Sequence, residues 1–519
     1  MDHAEHCHCC PNPKRSGGSV WGDLSRRAFL AGMTAGGALL ADVNWPRLAA
    51  GEGADRFEPM PPGRRPLIVQ PILVYNIPQR REMVSWRGWG GIDSKETADA
   101  EVAAIEKELA GIKAAADFPV EFSPTLAVND VNQVKDAEGV KACDVILLYG
   151  AGDGVAGVQH FGKDVIIFQR WKSGPVYLQY EIVSPRLLRQ HTDTLALDNI
   201  RFDDVVTDSL DELTWRLRSL CGLVNCRDSR ILAIGGPDAW AQSAESQAEL
   251  FERIQSQWRM DIQTVGYEKI DELLADAAKD DTLLAWAQSK ADAYLAQPGT
   301  TLSTEKERVV NCFVLDALFR RLMLEANCRA LTVFGCMVTI IPKAKTTACL
   351  TLSTLNDDGY LTFCESDFAV IPSGMLLANI TGRPVFLNDP TYPHAGIVTL
   401  AHCTAPRKMD GKTLEPVNIV THFESDYGAA PKVEMKLGQT VTNILPDFKS
   451  KRWAGFTGTI VDNPFRPICR SQIDVAYTIP DSRIAERMPG FHWMLGYGDS
   501  MKEIGYALRR VGIEWDDLR

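Results

Sequence analysis

Apolar, strand-like runs alternate with helical segments over most of the chain, and this alternation constrains the fold more than any other feature. The run LIVQPILVY begins at Leu67, helical periodicity covers Glu96 to Ala116, and DVILLYG and DVIIFQRW supply two further buried strands. The pattern repeats with RILAIGG, a helical stretch over Asp238–Trp258 and the strand–turn–helix segment DIQTVGYEKIDELLADA. A long helical region then runs from Leu283 to Asn327, broken at Gly299. Because parallel strands need crossover connections, this order predicts mostly parallel sheets wrapped by helices.

The composition changes after Asp389, where short β-like runs such as GIVTLAHC, VNIVTHFE and WAGFTGTIVDN are separated by Gly and Pro. This pattern is typical of an antiparallel or barrel-like domain. A chain of 519 residues is also too long for a single core. We therefore predict an α/β protein with two Rossmann-like parallel-sheet domains and a C-terminal β-rich, barrel-like domain. The predicted boundaries are a linker at 51–65, α/β domains at 66–224 and 225–385, and the β-rich domain at 386–519.

The N-terminal region, residues 1–50, has the pattern of an export signal. The segment SRRAFL at Ser25–Leu30 opens a short apolar run, and Leu48-Ala49-Ala50 offers small residues for cleavage. Paired arginines before a weakly apolar segment resemble a twin-arginine signal, and the run is too short to span a bilayer. We therefore expect export to the periplasm by the twin-arginine machinery. The alternative is an N-terminal helix with a chance pair of arginines.

Charge and cysteine content limit the partners and the compartment. The formal net charge of −12 argues against nucleic acid and against an anionic membrane surface, because both attract clustered Lys and Arg. The tract from His3 to Cys10 looks like a metal-ligand cluster, but it would be removed with the signal. Most later cysteines lie in apolar runs, where a buried thiol is expected. Cys221 and Cys226 are a possible disulfide pair in an oxidising compartment.

The segment Gly152–Gly157, GDGVAG, matches the G-x-G-x-x-G pattern of dinucleotide-binding loops. Such a loop must open a helix and be followed by an acid at the end of the next strand. Here the residues VQHFGKD are poor helix formers, and the next strand ends in Gln169 and Arg170. The pattern therefore favours a plain Gly-rich turn. An exported nicotinamide-dependent sugar oxidoreductase remains an alternative function.

Acidic residues and a histidine follow strand-like runs in the second half of the chain. Glu365 and Asp367 come after LTFC, Asp389 ends the next apolar run, and His492 lies in GFHWMLGYGD. Ligands of open α/β sheets bind outside the carboxyl ends of the strands. Two carboxylates and an imidazole suit a hard divalent metal ion. The alternatives are solvated loop acids and a structural histidine, and the same applies to His402, His422, Glu424 and Asp426.

Together these segments resemble the L-fucose/L-arabinose isomerase family, and its fucose-isomerase branch in particular. The segments that carry the resemblance are Glu365-Ser366-Asp367, Asn379-Ile380-Thr381-Gly382, Asp389, Met409-Asp410-Gly411 and the Gly-rich turn after His492. The chain departs from the family pattern at Pro390 and at Phe491 and Trp493, which flank the histidine. These departures concern the wall of the pocket, and they put the identity of the sugar in doubt more than the metal.

The resemblance implies a metal-dependent aldose–ketose isomerase that converts a monosaccharide through an ene-diol. It implies Mn²⁺ or another divalent ion held by Glu365, Asp389 and His492, with Glu365 and Asp389 also acting as the acid/base pair. His402 is a candidate fourth ligand, because arabinose-type members carry a ligand histidine in this region. The family also implies a homo-oligomer. The alternative is an isomerase-fold protein without isomerase activity that binds or processes a sugar-like ligand.

Overall fold

The computed structural model describes residues 54–178, 182–195, 199–240 and 243–519. The predicted export signal and the tract from His3 to Cys10 lie outside the described residues. The chain forms two compact units, one of Arg64–Val224 and one that contains Asn225–Arg519 and the described residues before Arg64. The fold is mixed α/β, with two parallel sheets and a closed six-stranded antiparallel barrel near the C-terminus. The predicted fold class is confirmed at this level, and the three domain boundaries stay a prediction.

The unit Arg64–Val224 is built on a parallel sheet with the order β2-β1-β4-β5-β6, in which β3 also pairs with β1. Its inner strand β4 is buried along its whole length, as a strand covered by helices on both faces should be. The strands are β1 (Leu67–Val74), β2 (Val120–Phe122), β3 (Leu126–Val128), β4 (Val145–Gly150), β5 (Asp164–Gln169) and β6 (Val205–Thr207). The helices are α1 (Lys95–Ala115), α2 (Glu138–Ala142) and α3 (Leu210–Cys226).

The Gly-rich segment after β4 is a turn, as the sequence predicts. It leads into a short 3₁₀ turn at Val158–His160 and not into a helix. The glycines are needed for close packing, because a Cβ atom on Gly154 would lie 1.9 Å from the carbonyl oxygen of Asn129. Gly157 adopts a positive φ of 106°, which favours glycine. The G-x-G-x-x-G pattern is therefore explained by the path of the loop.

The other unit contains a parallel sheet with the order β11-β10-β7-β8. Its strands are β7 (Arg230–Ile234), β8 (Asp261–Val265), β10 (Ala330–Val333) and β11 (Leu361–Cys364). Its helices are α4 (Ala244–Trp258), α5 (Tyr267–Ala277), α6 (Asp281–Leu295), α7 (Lys306–Glu325), α8 (Cys336–Ala344) and α9 (Cys349–Asp357). The predicted helical region from Leu283 to Asn327 is two helices, α6 and α7. The break at Gly299 leads into a short strand, β9 (Thr300–Leu302).

The barrel has the strand order β16-β19-β12-β13-β18-β17 and closes where β16 pairs with β17. Closure leaves no free edge among these six strands. The strands are β12 (Phe386–Pro390), β13 (Ile397–His402), β16 (Thr440–Pro446), β17 (Arg452–Asp462), β18 (Ser471–Ala476) and β19 (Trp493–Tyr497). The remaining elements are β14 (Val417–His422), β15 (Tyr427–Val433), β20 (Glu514–Asp517), α10 (Ile371–Thr381), α11 (Asp481–Arg487) and α12 (Met501–Leu508).

One hydrophobic core joins this sheet to the barrel. The same cluster contains Leu232 and Val333 from the sheet and Phe386, Leu400 and Trp493 from the barrel. The close packing of this core fixes the carboxyl end of β11 relative to the barrel strands. Side chains at that junction are therefore held in place by the interior of the unit.

Two expectations concern thiols and membranes. The structure contains no disulfide between Cys221 and Cys226, and both thiols are buried. Each donates toward a backbone carbonyl, Cys221 to Pro119 and Cys226 to Pro372.

Among the described helices, none combines the length and the apolar character needed to cross a membrane.

Candidate metal centre

Four polar side chains meet where the parallel sheet joins the barrel. His492 Nε2 lies 3.2 Å from Asp389 Oδ1 and 3.4 Å from Glu365 Oε2. His402 Nε2 lies 3.6 Å from Glu365 Oε1. The ligand atoms of Asp389, His402 and His492 all lie within 4.8 Å of one another. The structure therefore brings the three residues predicted from the sequence together, and His402, the candidate fourth ligand, lies with them.

Glu365 is positioned by a strained turn at the carboxyl end of β11. Both Glu365 and Ser366 have positive φ angles, 66° and 50°, which non-glycine residues rarely adopt. The Ser366 backbone N–H donates to Thr332 Oγ1 at 3.1 Å, and its carbonyl accepts the backbone N–H of Asp238 at 3.1 Å. Such strain persists only where neighbouring contacts hold it, and it is concentrated at functional sites. The turn directs the Glu365 carboxylate towards the barrel histidines.

The other three members come from adjacent strands of the barrel. Asp389 in β12 pairs with Ala401 in β13, so His402 follows directly. On the other side of β12, Asn388 pairs with Trp493, which places His492 just before β19. The sequence-based argument that Asp389 lies at the carboxyl end of an open α/β sheet is therefore wrong. Only Glu365 occupies that position, and Asp389 belongs to the antiparallel barrel.

The four facing atoms lack hydrogen-bond partners. Glu365 Oε2, Asp389 Oδ1, His402 Nε2 and His492 Nε2 are all buried without a partner among the described residues. Buried polar atoms are normally satisfied, so four such atoms at one point need an explanation. Ligand atoms at about 2.1 Å from one ion lie about 3.0 Å apart in octahedral and about 3.4 Å apart in tetrahedral geometry. Each carboxylate lies 3.2–3.6 Å from an imidazole nitrogen, and these separations and the O,O,N,N donor set suit ligands of a divalent cation. The ligand atoms of Asp389, His402 and His492 form one close group, and Glu365 joins it through its contacts with both imidazoles.

Hydrogen bonds on the far side of each imidazole orient the rings. His492 Nδ1 donates to Asp367 Oδ2 at 2.7 Å, so that once the ring is neutral its Nε2 lone pair faces the centre. His402 Nδ1 lies 3.1 Å from Thr404 Oγ1. Metal-binding histidines usually have such a partner on the other nitrogen. The sequence pattern contained Asp367 but gave it no role, and nothing in the sequence indicated Thr404.

The charges at the centre are strongly coupled. Burial disfavours charged His492, but the carboxylates of Asp389, Asp367 and Glu365 outweigh burial and hold its pKa well above the usual value. Burial alone would raise the pKa of Glu365, but the adjacent His402 and His492 imidazoles lower it to about 2. Burial raises the pKa of Asp389 despite the nearby imidazoles. The carboxylates thus attract positive charge, and a metal ion would take the place of the proton on His492.

An aromatic wall stands beside the centre. The rings of Trp240 and Phe491 stack with centroids 4.2 Å apart, and Phe491 meets the His492 ring edge-on at 4.7 Å. The Trp240 Nε1 atom is buried without a hydrogen-bond partner among the described residues. Trp240 follows β7 at the carboxyl end of the sheet. Because ligands of open α/β sheets bind outside these strand ends, the sequence could have indicated Trp240 as a candidate site residue.

The other candidate side chains lie outside this group. His422 ends β14, where its Nδ1 lies 3.3 Å from Ser425 Oγ, and burial lowers its pKa to about 4. Asp426 is exposed and accepts a hydrogen bond from Thr421 Oγ1. The Cys364 thiol lies within 4.8 Å of the ligand atoms of Glu365 and His402 only.

Neither a family model nor a curated protein sequence matches this chain.

Proposed function

We propose that this protein is a metal-dependent aldose–ketose isomerase related to the L-fucose/L-arabinose isomerase family. The observation that carries the proposal is the convergence of four buried atoms without hydrogen-bond partners. Glu365, Asp389, His402 and His492 would hold Mn²⁺ or another divalent ion. The donor set of two carboxylates and two imidazoles suits such an ion. The Rossmann-like character of the two parallel sheets, the twin-arginine export, the periplasmic location and a homo-oligomer are parts of the same proposal.

The reaction moves a proton between C1 and C2 of an open-chain sugar. When bound, the divalent ion supplies a Lewis acid for the carbonyl and hydroxyl oxygens of the sugar. The proton itself needs a basic group beside the two carbons. Asp389 is the carboxylate that can contact the substrate, because 26% of its side chain is exposed, compared with 3% for Glu365. We assign the proton transfer to Asp389, with Glu365 as the second member of the acid/base pair.

The surrounding residues support this chemistry. Asp367 holds the His492 ring, which fixes the direction of its free nitrogen. The stacked rings of Trp240 and Phe491 offer an apolar surface for the C–H face of a sugar and exclude water from one side. The Trp240 indole N–H is available to donate to a substrate hydroxyl.

Deuterium exchange tests the activity directly. The protein is loaded with Mn²⁺ and incubated in D₂O with a panel of pentoses and deoxyhexoses, and isotope incorporation at C1 and C2 is followed by NMR and mass spectrometry. We expect one deuterium per converted sugar with at least one member of the panel. Glu365→Gln should abolish exchange, whereas Asp426→Asn, a change at an exposed acid, should preserve it.

The outcomes separate the proposed function from its alternative. A protein that binds Mn²⁺ but exchanges no proton with any sugar would refute the isomerase and favour a sugar-binding or sugar-processing role on the same fold. The departure from the family pattern at Phe491, whose ring stacks on Trp240, is the observation that favours this alternative. A protein that does not bind a divalent ion would refute the isomerase.

A further inference from the structure

A separate cavity of about 160 Å³ lies among α6, α7, α9 and the loop after β13. Three aromatic side chains, Trp286, Tyr294 and Phe313, form part of its wall, and we call it the aromatic cavity. None of the four side chains of the candidate metal centre lines it. It is therefore a distinct feature that the proposed isomerase chemistry does not use.

Most charges around the aromatic cavity are already compensated. Arg320 pairs with Asp316 and with Asp358, each at 2.6 Å, and both Arg320 and Asp316 are almost completely buried. Lys290 forms an ion pair with Glu58. These pairs make the lining a built polar structure, because buried charges are retained only where partners satisfy them.

Asp357 is the exception. Its Oδ1 accepts the backbone N–H of Lys408 at 2.7 Å, but no ion pair joins its carboxylate to any described residue. The ammonium group of Lys408 is directed elsewhere, to the Asp357 carbonyl oxygen and to Asp358. The cavity thus contains one carboxyl group that forms no ion pair among the described residues, and the Lys408 ammonium acts on it only through space.

Tyr294 also has unused hydrogen-bonding capacity. The residue is 6% exposed, and its buried hydroxyl has no partner among the described residues. A buried hydroxyl without a partner is unfavourable, so a ligand that bonds to it gains affinity. The Trp286 ring is held by a hydrogen bond from its Nε1 to Glu58 at 3.1 Å. The cavity therefore combines a fixed aromatic surface, a free hydroxyl and an uncompensated carboxyl.

We propose that the aromatic cavity binds a small organic cation with a primary ammonium group. The ammonium pairs with Asp357 and donates to the Tyr294 hydroxyl, and the hydrocarbon part packs against Trp286 and Phe313. Among the charges that line the cavity, four acids face three cationic side chains, and this excess of one acid favours a cation over a neutral or anionic ligand. A cavity of similar size admits a six-membered ring, which sets the scale of the ligand.

Binding should depend on pH. Burial raises the pKa of Asp357 to about 7, with its backbone hydrogen bond acting in the opposite direction. An ammonium ligand prefers the carboxylate form, so its affinity should rise about tenfold between pH 6 and pH 8. The charged and titratable groups that line the cavity with Asp357 are Asp358, Lys408, Asp316, Arg320, Tyr294, Lys290 and Glu58. The buried Arg407 guanidinium lies behind Tyr294, with its carbon 5.4 Å from the ring centroid, and hydrogen bonds hold it to Gln297 and to the carbonyls of Glu415 and Pro298.

Calorimetric titration with cyclohexylammonium tests the proposal, with cyclohexanol as the neutral ligand of matched shape. We expect a single site for cyclohexylammonium and at least tenfold weaker binding of cyclohexanol. Asp357→Asn should weaken cyclohexylammonium binding at least tenfold. Asp281→Asn is the control, because that acid is exposed on α6 and does not line the cavity, and its effect should stay below about threefold.

The pH profile of the unaltered protein is a second test that does not depend on a variant folding. Equal affinities for the two ligands, an unchanged affinity in folded Asp357→Asn, or affinity that does not rise with pH would each overturn the proposal. So would the absence of cyclohexylammonium binding at millimolar concentration. Loss of the isomerase activity would leave this test unaffected, because the two sites share no side chain.

Discussion

Replacing Asp367 by Asn should weaken metal binding without removing a ligand. Asp367 is 1% exposed and accepts the His492 Nδ1–H at 2.7 Å, while its other oxygen accepts the Ala369 backbone N–H at 3.0 Å. In the variant, the amide oxygen keeps the bond to Ala369, so the amide NH₂ faces His492. This arrangement favours the tautomer with its proton on Nε2, the atom that must bind the metal.

The size of the effect follows from the role of such supporting residues. Their replacement lowers metal affinity by about 10- to 100-fold, which is about 1.4 to 2.8 kcal/mol. Because the wrong tautomer blocks the ligand atom, we expect a value near 100-fold for Asp367→Asn. The assay is competition for Mn²⁺ against a chelating dye, with thermal unfolding as a check on folding.

Asp426→Asn serves as the control and should leave the affinity unchanged. Glu365→Gln removes a direct ligand and should have a larger effect than Asp367→Asn. If the affinity of folded Asp367→Asn for Mn²⁺ lay within twofold of that of the unaltered protein, the orientation of His492 by Asp367 would play no part in metal binding. The argument from the buried hydrogen bond would then be refuted.

Two further predictions concern stability. Burial lowers the pKa of His422 to about 4, so the unfolded chain binds the extra proton and stability falls as the pH drops through about 6.5. In urea unfolding, the free energy of unfolding that is lost between pH 7 and pH 5 should be about 2 kcal/mol smaller in His422→Gln than in the unaltered protein. The exposed His394→Gln should show no such difference. Gly154→Ala should lower the free energy of unfolding by roughly 2 kcal/mol or more, because the new Cβ overpacks the loop. Gly111→Ala is the control: no atom lies within 4 Å of its new Cβ, and it should raise the free energy of unfolding by up to about 1 kcal/mol. A normal melting temperature for Gly154→Ala would contradict the packing argument.

The sequence predicts the parallel sheets well because their strands carry local signals. The segments that form β4, β5 and β7 are continuous apolar runs, and each was predicted within a few residues. The sequence does not predict helices α8 and α9, since α8 contains Pro342, which argues against a helix, and α9 is buried at nearly every position and shows no polar face. The short strands β18 and β19 were also missed, because pairing across the closed barrel defines them and their own composition does not.

The candidate centre was predicted only in part. The sequence identifies Glu365, Asp389 and His492 together, and the structure brings both carboxylates within 3.4 Å of His492 Nε2. His402 was left open, because its position depends on the pairing of Asp389 with Ala401, a register that local sequence does not define. The roles of Asp367 and Trp240 are likewise set by tertiary contacts. Asp367 and Trp240 lie far along the chain from His492 and Phe491, which they contact, so a single sequence does not indicate these contacts.

Anomalous X-ray diffraction from crystals grown with Mn²⁺ tests the central claim most directly. We predict one strong manganese peak per chain, about 2.0–2.4 Å from the facing atoms of Glu365, Asp389, His402 and His492. A fully occupied manganese site elsewhere, or no peak among these four side chains at saturating Mn²⁺, would contradict the account.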